Sequence, residues 1–214
     1  MQFLFESCML LLVVNGINCG SKEFQRAVLD EHNKHRGTHN APPLALDDKL
    51  SKNATLTAQK AAESGSFESI SPGQSVFVSC ATFKREVTGK EVTDAWYGEV
   101  CSPSFDFKSP DNEKARGFTQ LIWKDTTRLG VGKASGHGKD GEICVYIVGV
   151  YRPPGNLVGF FEDNIDIGTF EKEDYCKNDD EDEEGDSQEE DEEEDSDEKD
   201  KKDVKKKGKK GSKV

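Results

Sequence analysis

Apolar residues in the first third of the chain recur with the 3.6-residue period of amphipathic helices. One stripe predicts a helix over residues 21–36, and Gly37 is expected to end it as a C-cap. A second stripe begins behind Asp47 or Asp48, either of which could serve as N-cap, and ends at Gly65. The stripe residues are Phe24, Ala27, Val28, Glu31, His32 and His35 in the first helix and Leu50, Ala54, Ala58, Ala61 and Ala62 in the second.

The pattern then changes to the two-residue period of β-strands. Residues 75–83 alternate in this way, and residues 88–91 have the form of a capping box that predicts a third helix. Residues 102–116 are polar and contain two prolines, which indicates a surface loop. Residues 129–134 and 142–151 flank a glycine-rich turn and predict a hairpin, and residues 158–161 are expected to add a short strand. Helices and antiparallel hairpins in this order predict an α+β domain.

Charge divides the chain into a domain and a tail. The net charge is -13, and the 18 acidic residues and nine lysines of residues 179–214 contribute most of it. This balance argues against nucleic-acid binding through overall charge. The tail has no periodic apolar pattern, so we expect it to be disordered. The expected organisation is a leader at 1–20, a domain at 21–171 and a tail at 172–214.

The tail is also a candidate binding segment. Clustered carboxylates are hard oxygen ligands, so they are expected to associate diffusely with Ca²⁺, a mineral surface or basic proteins, although no EF-hand spacing is present. The alternative is a tail that only adds solubility. The acids assigned to diffuse calcium association are Asp179, Asp180, Glu181, Asp182, Glu183, Glu184, Glu189, Glu190, Asp191, Glu192, Glu193, Glu194 and Asp195.

The N-terminal leader predicts secretion. Its apolar run at residues 4–14 is too short to span a membrane and is typical of a signal-peptide core, although Glu6 interrupts it and no Lys or Arg precedes it. Cleavage after Gly16, Cys19 or Gly20 would follow a small residue. No transmembrane segment is predicted.

Secretion gives two further sequence features a chemical meaning. Asn53 begins an Asn-Ala-Thr glycosylation sequon, which is usable only in an exported chain. Cleavage after Cys19 or Gly20 leaves an even set of cysteines, which an oxidising compartment would pair into two disulfides with three possible connectivities. These cysteines are Cys80, Cys101, Cys144 and Cys176.

Candidate catalytic and metal-binding patterns are weak. His32, His35 and His39 have helical spacing and could converge on a metal, but Gly37 should end the helix before the third of them. The remaining histidine, His137, lies in the glycine-rich turn, so no Ser-His-Asp arrangement can be built. The residues Gly130-Val131-Gly132 are too few for a phosphate loop.

Several short motifs, in this order, resemble the CAP superfamily, which joins cysteine-rich secretory proteins, insect antigen 5 and plant pathogenesis-related proteins. The second and last of them look most like the Golgi-associated, pathogenesis-related branch. The motifs are His32-Asn33-Lys34-His35-Arg36, Thr88-Gly89-Lys90-Glu91-Val92, Trp96-Tyr97-Gly98-Glu99-Val100, Gly117-Phe118-Thr119-Gln120-Leu121-Ile122-Trp123-Lys124, Leu129-Gly130-Val131-Gly132 and Tyr151-Arg152-Pro153-Pro154-Gly155-Asn156-Leu157.

The resemblance implies a three-layer α-β-α sandwich with a central cleft that, in the family, holds two His and two Glu. Only Glu99 matches that set. Gly117 stands where the family has one His, and Phe67 lies near the position of the other. The second Glu is replaced near residues 74–76. One ligand cannot hold a catalytic metal, so the resemblance implies a cleft without metal or other cofactor, in which Glu99 is a structural acid.

These observations predict a secreted, non-enzymatic CAP-domain protein that acts by binding, with a tail that associates with calcium, mineral or cationic partners. The resemblance offers a sterol or lipid carrier as one alternative. A structural component of an extracellular or calcified matrix is another, and an enzyme with residual activity is a third.

Overall fold

A four-stranded sheet lies between helices in the part of the chain that the structure describes. The computed structural model describes residues 3–177, apart from 112, 139 and 140, and side chains from residue 21 onward. The helices are α1 (Phe3–Thr38), α2 (Asp48–Ser64), α3 (Gly89–Tyr97), α4 (Arg116–Ile122), α5 (Phe161–Asn164) and α6 (Lys172–Lys177), with short 3₁₀ helices at Gly98–Cys101 and Glu113–Ala115. The strands are β1 (Ala45–Leu46), β2 (Gln74–Ala81), β3 (Arg128–His137) and β4 (Ile143–Arg152).

The sheet has the strand order β1-β3-β4-β2. The predicted hairpin is confirmed, because β3 and β4 pair antiparallel from Arg128↔Arg152 to His137↔Ile143. Strand β2 pairs antiparallel with the other side of β4, whereas the two-residue β1 pairs parallel with β3. The register of β2 and β4 places Cys80 directly opposite Cys144.

Helix α2 covers one face of the sheet. Its buried alanines Ala54, Ala58 and Ala61 pack against apolar side chains of β4 such as Tyr146. The helix backbone approaches β3 so closely that a Cβ added at Gly132 would lie 2.1 Å from the amide nitrogen of Thr55. The glycine is therefore required by helix packing. The predicted caps of α2 are confirmed: Asp47 accepts hydrogen bonds at the N-terminus, and Gly65 is left-handed, with φ of 76°.

Helices α1, α3 and α4 cover the opposite face, where the larger core lies. This core contains Trp96 of α3 and Phe118 of α4, packed against Val131, Ile147 and Tyr151 of the sheet. Helix α3 begins as predicted, because Thr88 Oγ1 accepts a hydrogen bond from the amide of Glu91. The two helical layers and the sheet between them confirm the three-layer α+β architecture.

Buried Arg36 holds the segment between α4 and β3. Its Nε donates to the carbonyl of Pro42 at 2.7 Å, and Nη1 donates to the carbonyls of Leu121 and Trp123 at 2.8 and 2.9 Å. Its Nη2 donates to the carbonyl of Thr126 at 3.0 Å. Burial lowers the pKa of Arg36 to about 10, so the guanidinium remains charged at neutral pH. The side chain therefore supplies donors for carbonyls at the end of α4 and in the adjoining loops.

Three expectations from the pattern are corrected. Helix α1 begins at Phe3 rather than Ser21 and extends to Thr38, past Gly37, and the left-handed residue that follows it is Asn40, with φ of 54°. Residues 158–161 form no strand, because Gly159 has φ of 87° and α5 begins at Phe161. The 102–116 loop contributes to the core, since Phe105 is buried. Among the described helices, none is both long and apolar enough to cross a membrane.

The structure selects one of the three possible disulfide connectivities. Cys80 pairs with Cys144 across the sheet, and Cys101 pairs with Cys176. The second bond corrects the boundary between domain and tail. Residues 172–177, assigned to the tail, form α6, and Tyr175 and Cys176 pack against the larger core. The folded domain therefore continues to the last described residue.

Candidate functional site

A cleft of about 600 Å³ opens where the N-terminal ends of β2 and α4 meet the loop after β4. Its walls come from residues 70–76, from parts of 113–117 and from residues 155–158, together with Trp96 and Glu99. The indole of buried Trp96 donates a hydrogen bond to the carbonyl of Val76 at 2.9 Å, which ties α3 to the first residues of β2. Helix α3 and the 3₁₀ helix after it thus place Glu99 in this cleft.

The carboxylate of Glu99 is fixed by the backbone at the start of α4. Its Oε2 accepts hydrogen bonds from the amides of Gly117 at 2.6 Å and Phe118 at 3.3 Å. Burial raises the pKa of the Glu99 carboxyl, and these two hydrogen bonds oppose the rise. Amides at a helix N-terminus lack partners within the helix, so Glu99 acts as their acceptor.

Gly117 has no side chain, and the carboxylate of Glu99 occupies the space that a side chain there would fill. A Cβ at residue 117 would lie 2.5 Å from Glu99 Oε1 and 2.8 Å from Oε2, well inside contact distance. Any side chain at this position would have to displace Glu99. This glycine is therefore the residue that allows Glu99 to dock on the helix.

The cleft does not fit the family's zinc site. Phe67, near the expected position of the first histidine, is absent from the cleft lining and packs edge-to-face on Tyr146, 5.8 Å between ring centres. Gln74 and Ser75 offer an amide and a hydroxyl, which are unusual zinc ligands. Among the described residues, Glu99 belongs to no group of three or more clustered potential ligands. The donor set therefore supports a structural role for Glu99.

The three N-terminal histidines do not converge on a metal. Buried His32 donates from Nδ1 to the carbonyl of Val28, and its Nε2 accepts from the hydroxyl of Tyr151 at 2.9 Å. Buried His39 donates from Nδ1 to the carbonyl of Asp166, and its Nε2 accepts from the hydroxyl of Tyr97 at 2.8 Å. Both rings therefore use both nitrogens.

Burial keeps these two rings neutral. It lowers the pKa of His32 to about 3 and the pKa of His39 to about 4. Neither imidazole can act as a general acid or base near neutral pH while it is held in this way. The remaining member of the triplet, His35, is only partly buried and faces α3.

The chain matches the family model "CAP: Cysteine-rich secretory protein family" over residues 29–151. It is 39% identical over 154 residues to human Golgi-associated plant pathogenesis-related protein 1, and the match spans 68% of this chain and 94% of the human protein. The chain belongs to the CAP family.

Two fungal relatives are longer than this CAP protein. The match to Protein PRY2 of Saccharomyces cerevisiae is 34% identical over 147 residues and spans 67% of this chain and 41% of that protein. The match to Secreted protein RBT4 of Candida albicans is 28% identical over 139 residues and spans 64% of this chain and 37% of that protein.

The sequence reasoning missed the apolar rim of the cleft. Ile70, Leu157 and Val158 line it and remain exposed, with Val158 78% accessible. Their loops contain prolines and glycines and show no periodicity, so only the presence of large aliphatic residues in turn-like segments could have indicated them. Lys114 and Arg116 lie on another side of the same cleft.

Other predicted site residues lie away from this cleft. Asn53 is exposed on the solvent face of α2 and is therefore accessible. Its glycosylation stays a prediction. The thirteen acidic residues from Asp179 to Asp195 assigned to calcium association lie outside the described residues.

Proposed function

We propose that this protein is a secreted, non-enzymatic CAP-domain protein that acts by binding, and that its cleft holds an amphipathic lipid or sterol. The observation that carries the ligand class is the apolar rim formed by Ile70, Leu157 and Val158. The cleft volume of about 600 Å³ falls within the range of small-molecule sites. Lys114 and Arg116 can contact a polar or anionic head group.

The same geometry favours binding over catalysis. General acid-base chemistry needs a second group within reach of the first. Glu99 is docked on backbone amides, and the imidazoles of His32 and His39 are committed to hydrogen bonds with tyrosine hydroxyls. Because these contacts occupy all three side chains, the described residues favour a binding role over a catalytic one.

Equilibrium titration of the full-length protein with a fluorescent sterol and a fluorescent fatty acid tests the cleft proposal. Replacing Val158 with Asp should weaken binding at least about tenfold, because it places a charge on the apolar rim. The matched control is Leu56→Asp on α2, where the side chain is also exposed and belongs to no cleft wall. Equal affinities for both variants, or no binding by the unaltered protein, would contradict the proposal.

Export of the protein is supported by the apolar leader and by the two disulfides, which persist in oxidising compartments. N-terminal sequencing of the protein recovered from culture medium should find a start after Gly16, Cys19 or Gly20. Replacing Leu11 and Leu12 with Arg should keep the chain inside the cell, because charges disrupt the apolar core of the leader. Unchanged secretion of that variant would contradict this assignment.

The composition of the tail supports a second role, in which it associates with calcium, a mineral surface or cationic partners in an extracellular matrix. Seventeen acids within residues 179–200 lie closer together than the roughly 8 Å screening length at physiological salt. Their repulsion should concentrate divalent cations loosely. Lysines in residues 201–214 should oppose this effect.

Calorimetric titration with Ca²⁺ can separate these contributions. Deleting residues 201–214 should strengthen calcium association, and deleting residues 179–214 should abolish it. Added monovalent salt should weaken the binding of the intact chain by screening. If both truncated proteins bind calcium as the full chain does, the tail is not the site.

A further inference from the structure

A cluster of potential metal ligands lies between α1 and α3, apart from the residues that line the cleft. Glu31 and His35 are one helical turn apart on α1, and Asp94 faces them from α3. Each residue offers one ligand atom, and the three atoms lie within 4.8 Å of one another. All three residues are partly buried, so the cluster lies where the packed helices meet solvent.

His35 presents an unsatisfied nitrogen to this cluster. Its Nε2 is buried and has no hydrogen-bond partner among the residues that the structure describes. Asp94 Oδ1 lies 3.6 Å from that nitrogen, which is beyond hydrogen-bond distance. The ring of Tyr97 stacks on the imidazole with 3.7 Å between centres and an angle of 18°, which fixes the ring orientation. A buried polar atom without a partner calls for an explanation, and a bound ion is one that the neighbouring carboxylates fit.

We propose that Glu31, His35 and Asp94 form a binding site for a divalent transition-metal ion, for which zinc is the probe. An imidazole with two carboxylates favours such ions over Ca²⁺ and Mg²⁺, which prefer oxygen ligands alone. Ligand atoms bound at about 2.0–2.2 Å from zinc lie roughly 3–4 Å apart. The distance of 3.6 Å between His35 Nε2 and Asp94 Oδ1 falls in that range. The bound ion links α1 to α3, and three protein ligands leave one position for water.

Two lysines balance the carboxylates in the absence of an ion. Lys34 Nζ lies 3.4 Å from Glu31 Oε2, and Lys90 forms an ion pair with Asp94 Oδ2. Both lysine side chains are largely exposed, at 68% and 64%, and can turn into solvent. Removing the competing charge with Lys90→Met should therefore tighten zinc binding several-fold.

The test uses the full chain with ¹⁵N-labelled histidine and titration with Zn²⁺. Zinc should shift the ring nitrogen signal that is missing from His35→Gln, and this substitution should weaken the calorimetric affinity for zinc at least tenfold. His137→Gln is the matched control, because it removes an exposed histidine outside the cluster. It should leave both readouts unchanged.

Asp94→Asn provides a second variant that removes a ligand without altering the stacked ring. It should also weaken zinc binding at least tenfold, and thermal unfolding without metal verifies that each variant is folded. Zinc that binds only the acidic tail would leave the His35 signal unmoved and would bind these variants as it binds the unaltered chain. Either of those results overturns the proposal.

Discussion

Replacing Gly117 with Ala tests the docking of Glu99 on α4. The new Cβ would lie 2.5 Å from Glu99 Oε1, so the carboxylate must leave its two amide donors. Hydrogen bonds to a charged group contribute about 1.5–3 kcal/mol each, and we expect a loss of about 3 kcal/mol because the second bond is long. The higher helix propensity of Ala returns up to about 1 kcal/mol. The expected net loss in the free energy of unfolding is about 2 kcal/mol.

A double-mutant cycle isolates the contact from other effects of the substitution. In a Glu99→Ala background no carboxylate obstructs the new methyl group, so Gly117→Ala should be neutral or stabilising by up to about 1 kcal/mol. Denaturant unfolding at neutral pH gives all four free energies. The reasoning fails if Gly117→Ala costs the same in both backgrounds.

The raised pKa of Glu99 adds a pH dependence with a defined sign. The folded protein holds this proton more tightly than the unfolded chain, whose ordinary value is 4.5. Stability from this group is therefore full below pH 4.5 and falls as pH rises through the folded-state pKa. Glu99→Gln should remove that component and should alter stability more than any activity. Parallel pH profiles of both proteins would contradict the assignment.

Reduction of the Cys101–Cys176 disulfide should lower the free energy of unfolding by about 4 kcal/mol, because the bond closes a loop with a sequence separation of 75 residues. Comparing unfolding of the protein with that of a Cys101→Ser, Cys176→Ser double variant measures this loss, and four alkylatable thiols in the native protein would rule out both disulfides. Replacing Arg36 with Met should cost about 4 kcal/mol in the same assay, since four backbone carbonyls lose their donor and three of these hydrogen bonds are buried. The exposed control Arg26→Met should be nearly neutral, and equal stability of the two variants would refute the role given to Arg36.

Local chemistry made several elements predictable from the sequence. Asp47 and Thr88 cap α2 and α3 because their side chains reach amides within the same turn, and Gly65 ends α2 because it adopts a left-handed conformation. The hairpin of β3 and β4 follows from alternation around a glycine-rich turn. A short apolar run such as 158–161 fits a strand or a helix equally well, so the pattern could not identify α5.

The candidate site depended on contacts between distant segments. Glu99 could be identified from a motif. Its hydrogen bonds to the amides at the start of α4, however, depend on how the 3₁₀ helix after α3 packs against α4. Helical spacing grouped His32, His35 and His39, whereas in the structure their Nε2 atoms face three different side chains. His35 gained its significance from Asp94 on another helix, and spacing along α1 cannot reveal such a partner. Disulfide pairing likewise required the register of the sheet.

The bond between Cys101 and Cys176 also determines how the acidic segment can be released. A protease that cuts within residues 171–175 would break the chain but leave everything beyond the cut covalently attached through Cys101. Only cleavage beyond Cys176 frees the acidic segment in one step. After an earlier cut, release requires a thiol reductant, so shedding of the segment becomes sensitive to the redox state of its surroundings.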